Sequence, residues 1–181
     1  MKKLILIFAA LLAFAGAAFA QKKNKTLIIY YSWGGNTRTI AQLAQKKTGA
    51  DIAEVQPDKE YPSTYKECTV VAKDEQRKGI KPGVKGALPD TAGYDTVILA
   101  YPLWWGDVPM FFYTLLEGID LGGKTVLPIC SNGGSGLARS VGTIKTLAQK
   151  ADVKAGLSIH RDGGSSLDKT LSEYFKKNGL Q

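Results

Sequence analysis

Residues 32–37, Ser-Trp-Gly-Gly-Asn-Thr, set two hydroxyls and two glycines directly ahead of a helical pattern. Glycines let backbone amides turn inward, and the first turn of a helix leaves N–H groups unpaired beside a partial positive charge. A loop of this kind can hold a phosphate. It has neither the Gly-x-x-x-x-Gly-Lys-Ser/Thr nor the Gly-x-Gly-x-x-Gly spacing, and no lysine lies inside it. Amides and hydroxyls would therefore do the holding, which suits one terminal phosphate better than a polyphosphate with its metal. The alternative is an ordinary strand-to-helix turn.

Two further stretches could meet the rest of a ligand. Pro102-Leu103-Trp104-Trp105-Gly106 offers two large flat surfaces beside a glycine, where backbone can approach a bound molecule closely. Stacking on a planar ring is one use for such tryptophans; anchoring the loop in the core is the other. Ser131-Asn132-Gly133-Gly134-Ser135-Gly136 presents backbone N–H groups with little side-chain bulk, suited to the polar edge of a ring system. Phosphate, planar ring and polar ring edge together describe flavin mononucleotide (FMN). A different chemistry, a serine hydrolase using Ser135, His160 and Asp162, is the weaker reading. Gly133-Gly134-Ser135-Gly136-Leu137 misses the last glycine of the Gly-x-Ser-x-Gly elbow. With one histidine and no Cys-x-x-Cys, no metal-site spacing is present.

The elements that must position these loops alternate. Leu27 to Tyr31 reads as a buried strand, and Asn36 to Lys47 as a helix with Ile40, Leu43 and Ala44 on one face. A strand over 51–56 follows, then a helix over 63–78 carrying Tyr65, Cys68, Val71 and Ala72 at helical spacing. Residues 79–93 read as an irregular connection, and the whole insertion 57–93 as a long surface loop, with a lid over a site as the alternative. Strands over 94–101, 124–130 and 155–160 alternate with helices over 109–117, 139–151 and 166–178. Such alternation argues an α/β fold: a five-stranded parallel sheet with right-handed crossovers and helices on both faces. The three loops, each following a strand, would crowd the carboxyl edge, where ligands bind in such sheets.

Residues 1–20 stand outside that pattern. Lys2 and Lys3 precede the apolar run Leu4 to Phe14, and Ala18-Phe19-Ala20 has the small-x-small form of a signal-peptidase site. The run is short for a membrane span, and no cysteine follows for a lipid anchor. A cleaved signal leaves one domain, residues 21–181, in the periplasm or outside the cell, with no stable membrane anchor. Loss of the two lysines lowers the formal net charge from +8 to +6. The remaining charges are scattered, without the dense basic helix that would point to nucleic acid. Export permits a Cys68–Cys130 disulfide, although Cys130 ends an apolar strand pattern where a buried thiol is the commoner state.

The motifs Tyr31-Ser32-Trp33-Gly34-Gly35-Asn36-Thr37, Tyr101-Pro102-Leu103-Trp104-Trp105-Gly106 with Pro109, and Ser131 to Gly136, in order and each after a strand, resemble those of the flavodoxin family. The resemblance spans nearly the whole mature domain. It implies a flavodoxin-like three-layer α/β/α sandwich with strand order 2-1-3-4-5 and FMN as cofactor. It also implies that Ser32, Thr37 and the amides of residues 33–37 bind the phosphate, that Trp104 or Trp105 lies on the isoalloxazine, and that 131–136 meets its pyrimidine edge. The usual middle hydroxyl of the phosphate loop is Gly34 here. Cytoplasmic carriers of the family are typically acidic, whereas this chain is basic and carries an export signal. The expected function is electron transfer with a redox partner protein. The alternative is an FMN-dependent NAD(P)H, quinone or nitroaromatic oxidoreductase, with a cofactor-free binding module as a remote third.

Overall fold

The computed structural model describes residues 25–180. The signal-peptide reading of residues 1–20 lies outside them. Among the described residues six strands and five α-helices follow one another, alternating except where β5 leads into β6: β1 (Thr26–Tyr30), α1 (Asn36–Thr48), β2 (Asp51–Glu54), α2 (Tyr65–Lys78), β3 (Thr96–Pro102), α3 (Phe111–Gly118), β4 (Thr125–Asn132), α4 (Ser140–Leu147), β5 (Asp152–Val153), β6 (Leu157–His160) and α5 (Leu167–Lys177). All strand pairs are parallel, in the order β2-β1-β3-β4-β5, with β6 also on β4.

β1, β3 and β4 are covered on both faces, which is why they read as unbroken apolar runs. Alternate residues serve opposite layers. Leu27, Ile29, Val97, Leu99 and Val126 pack towards Phe111, Phe112 and Leu115 of α3 and Ile144 of α4. Ile28, Ile98, Leu127 and Ile129 pack towards Ile40 and Ala44 of α1 and Leu171 and Phe175 of α5. The result is the expected three-layer sandwich.

The fifth strand position differs in one respect from the single strand expected over 155–160. β5 and β6 lie along β4 in succession, with one extra residue between the pairs Val126–Val153 and Ile129–Leu157. Pro128 of β4 has no N–H to offer the ladder at that point. The Tyr174 hydroxyl closes the gap, reaching the carbonyls of Pro128 (3.2 Å) and Ala155 (2.9 Å). α4 also stops earlier than its pattern predicts, at Leu147, because Ala148 leaves helical geometry.

The insertion 57–93 contains the predicted helix, but it is more than a surface loop. α2 packs extensively on no other helix or strand, and only Cys68 and Ala72 of it are buried. Thr64 caps it, accepting from the Glu67 amide, while Gly79 ends it in the left-handed region. Side chains rather than a packed face tether it: the Tyr61 hydroxyl bonds Glu75 at 2.7 Å, and Trp105 Nε1 donates to the Thr69 carbonyl at 2.9 Å. No helix among the described residues is long and apolar enough to cross a membrane.

Candidate functional site

The chain leaves β1 at Tyr31 and turns through Ser32 to Gly35 into α1. Gly35 sits at a φ of 95°, which a side chain would oppose, and its amide donates to Ser32 Oγ at 3.0 Å. That bond closes the loop and points the neighbouring amides outward. Those of Gly34, Asn36 and Thr37 make no hydrogen bond to any described residue. Thr37 is only 1 % exposed, yet its hydroxyl also bonds no described residue. A half-wrapped hydroxyl and three orphaned amides at a helix N-terminus form an anion cradle. Trp33 fixes the outer side, its Nε1 donating to the Pro62 carbonyl at 3.0 Å.

The second loop gives its two tryptophans different work. Trp104 turns inward and meets Tyr31 and Tyr61 edge-on, with centroids 5.9 and 4.7 Å apart. Trp105 turns outward. It is a non-glycine residue at a φ of 50°, 47 % exposed, and lies under Lys73 Nζ at 4.6 Å. Beneath both, Asp107 is completely buried. Its carboxylate accepts from Arg139 Nε (2.7 Å), the Tyr113 hydroxyl (3.0 Å), the Thr143 hydroxyl (3.0 Å) and the Val108 amide (2.8 Å). Gly106 joins the same anchorage, its carbonyl accepting from the Arg139 amide at 3.0 Å.

The third loop is organised by Asn132. Its Oδ1 accepts from the Gly134 (2.9 Å) and Gly136 (3.2 Å) amides, and its Nδ2 donates to Ser158 Oγ and the Ile159 carbonyl. Two of the amides expected to face a ligand are thus already satisfied, whereas those of Gly133 and Ser135 bond no described residue. Ser131 Oγ donates to the Arg161 carbonyl at 2.7 Å, and the Leu103 amide donates to the Ser131 carbonyl at 2.8 Å. The second and third loops are therefore stitched together at the end of the sheet.

The three loops border one cleft of about 630 Å³. Ser32, Trp33, Gly34, Asn36 and Thr37 line it from the first loop, and Pro102, Leu103, Trp104, Trp105 and Gly106 from the second. Ser131, Asn132, Gly133 and Ser135 line it from the third. Gly35, Gly134 and Gly136 do not; all three have positive φ and shape the loops from behind. The remaining wall is α2, through Tyr65, Cys68, Thr69 and Ala72, and Arg161 stands beside the third loop. Sequence reasoning left the α2 residues out of the site. Their spacing of three and four marks one helical face, but that signal is the same for a core stripe and for a cleft wall.

Cys68 and Cys130 are both free and buried. The disulfide does not form, and burial pushes Cys68 up to about 11 and Cys130 up to about 12, leaving both as unreactive thiols. Ser135 and His160 make no hydrogen bond to each other, and Asp162 instead accepts from the Gly164 amide. No described residue stands in hydrogen-bond contact with the hydroxyl as a base to activate it. Among the described residues no group of three or more His, Cys, Asp and Glu side chains could hold a metal ion.

Residues 25–178 match the flavodoxin family. The chain belongs to the flavodoxin family. Over 109 residues it is 30 % identical to Flavodoxin 1 of Salmonella typhimurium, covering 56 % of this chain and 46 % of that one. The chain thus spans under half the length of this curated relative. A protein from Bacteroides uniformis, described as a candidate flavoprotein, shares 26 % identity and a TM-score of 0.73, over 86 % of this chain and 99 % of its own. A flavoprotein of Lactobacillus acidophilus solved in complex with FMN has the same fold, with a TM-score of 0.64 at 23 % identity over 81 % of this chain and 97 % of its own. The flavodoxin sheet order β2-β1-β3-β4-β5 is the one the motifs imply.

Proposed function

We propose that this flavodoxin-family chain is exported, binds FMN in the three-loop cleft and transfers electrons to a redox partner protein. The observation that carries the reading is the cradle at the start of α1: an unpartnered Thr37 hydroxyl and the unpartnered amides of Gly34, Asn36 and Thr37 border a cleft with no carboxylate. A phosphate dianion satisfies such donors, and no side chain among the described residues does. Ser32 Oγ, already accepting from the Gly35 amide, keeps its own proton for the same anion. Trp105 supplies an exposed face for the ring, and the Gly133 and Ser135 amides supply donors for its polar edge. FMN when bound supplies one- and two-electron chemistry, and the protein supplies binding and electrostatics.

Gly34, in place of the family's usual hydroxyl, has room for one. Its φ is not positive, and a Cβ there would meet nothing within 4 Å. Gly34→Thr adds one donor to the anion, so FMN affinity rises by about fivefold to tenfold, less than the full worth of a hydrogen bond to a charged group because a new side chain must be ordered. Fluorescence quenching of FMN titrated with each protein reads the difference; equal or weaker binding contradicts the cradle's assignment.

One observation favours the second reading, an FMN-dependent NAD(P)H or quinone oxidoreductase. α2 stands off the sheet and walls the cleft, which gives a second flat molecule something to lean on. Anaerobic mixing with NADPH separates the two. A flavin band that persists for minutes supports the carrier, and bleaching within seconds makes the protein a reductase. Export is tested separately, by cell fractionation and the N-terminal sequence of the mature chain, expected to begin at Gln21.

A further inference from the structure

We propose that Arg161 sets the redox poise of the bound flavin by acting as counter-charge to the reduced ring; this rests on the FMN reading above. Among the residues that line the cleft there is no Asp, Glu, Lys or His, and Arg161 is the single ionised side chain. Its guanidinium makes no ion pair and no hydrogen bond with any described residue. The nearest carboxylate in sequence, Asp162, is turned away onto the Gly164 amide at 3.1 Å.

The residue is also held in place by a built backbone. Arg161 has a φ of 52°, a conformation costly for anything but glycine. Two bonds impose it: its amide donates to the Asn132 carbonyl at 2.8 Å, and its carbonyl accepts from Ser131 Oγ at 2.7 Å. Among the described residues the other two non-glycine residues with positive φ, Trp105 and Ala138, lie on or beside the loops of the same cleft. Strain gathered there marks a geometry that the surrounding bonds enforce.

The charge balance gives Arg161 its effect. Oxidised isoalloxazine is neutral. Two electrons from the donor and one proton from solvent leave the reduced ring with one negative charge. In a cleft whose lining holds no carboxylate, that charge would face the exposed Arg161 guanidinium, with Lys73 beyond Trp105, at a rim partly screened by water. Arg161 therefore tightens the binding of reduced FMN relative to oxidised FMN, and by linkage raises the two-electron potential. The protein is thereby set apart from a carrier whose site repels the reduced ring. Its donors need not be strong reductants.

The test uses the full mature chain loaded with FMN, reduced stepwise by dithionite with a reference dye. Arg161→Gln is compared with wild type and with Arg161→Lys. The expected result is a loss of about tenfold in the reduced-to-oxidised affinity ratio, as one unit charge in a partly screened cleft gives. For a two-electron couple that is a fall of about 30 mV. Lysine keeps the charge and restores most of the potential. Thermal melts of the three apo-proteins are expected to coincide, since glutamine adopts the same φ no less easily than arginine. FMN binding with an unchanged potential in Arg161→Gln overturns this inference alone. Failure of the wild type to bind FMN overturns the FMN reading and this inference with it.

Discussion

Replacing Asp107 with alanine is expected to lower the unfolding free energy by about 3 kcal/mol, or roughly 6–12 °C in Tm for a domain of this size. The carboxylate is wholly buried and accepts from Arg139, Tyr113, Thr143 and the Val108 amide. Its removal leaves a cavity and takes the acceptor from two part-buried hydroxyls and an amide. The Arg139 side chain is 57 % exposed, so water recovers part of its loss and the cost stays at the lower end of the range for broken buried pairs. The same carboxylate ties the 102–109 loop to α3 and α4, so cofactor affinity falls as well. Urea melts of the apo-protein read the first effect. An unchanged midpoint would show that the loop holds its shape without the buried charge.

Thr37→Val separates binding from folding. The residue is almost fully buried, but its hydroxyl bonds no described residue, so valine takes nothing from the protein's own network. β-branching is kept in the first turn of α1, and stability is expected to move by less than about 0.5 kcal/mol. A hydroxyl donating to a phosphate is worth about 1.5–3 kcal/mol, so FMN affinity falls by roughly tenfold to a hundredfold. Calorimetric titration reads it, with riboflavin as the control ligand. Equal losses for FMN and riboflavin would place the phosphate elsewhere.

Much of this arrangement is legible in the residues themselves. The apolar runs of β1, β3 and β4 are buried on both faces, and a run that never alternates can be little else at that length. The loops after them are legible because glycines and hydroxyls at strand ends have few other uses. What escapes is decided by tertiary geometry. Trp104 and Trp105 are identical in type and adjacent, yet one packs edge-on against Tyr61 while the other, at a φ of 50°, reaches the surface. The stripe of Tyr65, Cys68 and Ala72 reads as a core face, yet α2 presents it to a cleft. Asn132 lines the cleft as its motif suggests, but its side chain also organises the loop through Gly134, Gly136, Ser158 and Ile159, which no spacing announces. The broken fifth strand follows from Pro128, whose missing N–H matters only once its partner strand is known.

The central claim is that the cradle at the start of α1 and the loops facing it hold one flavin mononucleotide. Titrating the apo-protein with FMN and following the visible absorption and the quenching of flavin fluorescence tests it most directly. The account predicts saturation at one FMN per chain, with markedly weaker binding of riboflavin, which lacks the phosphate. Absence of saturable binding, or equal affinity for FMN and riboflavin, would contradict it.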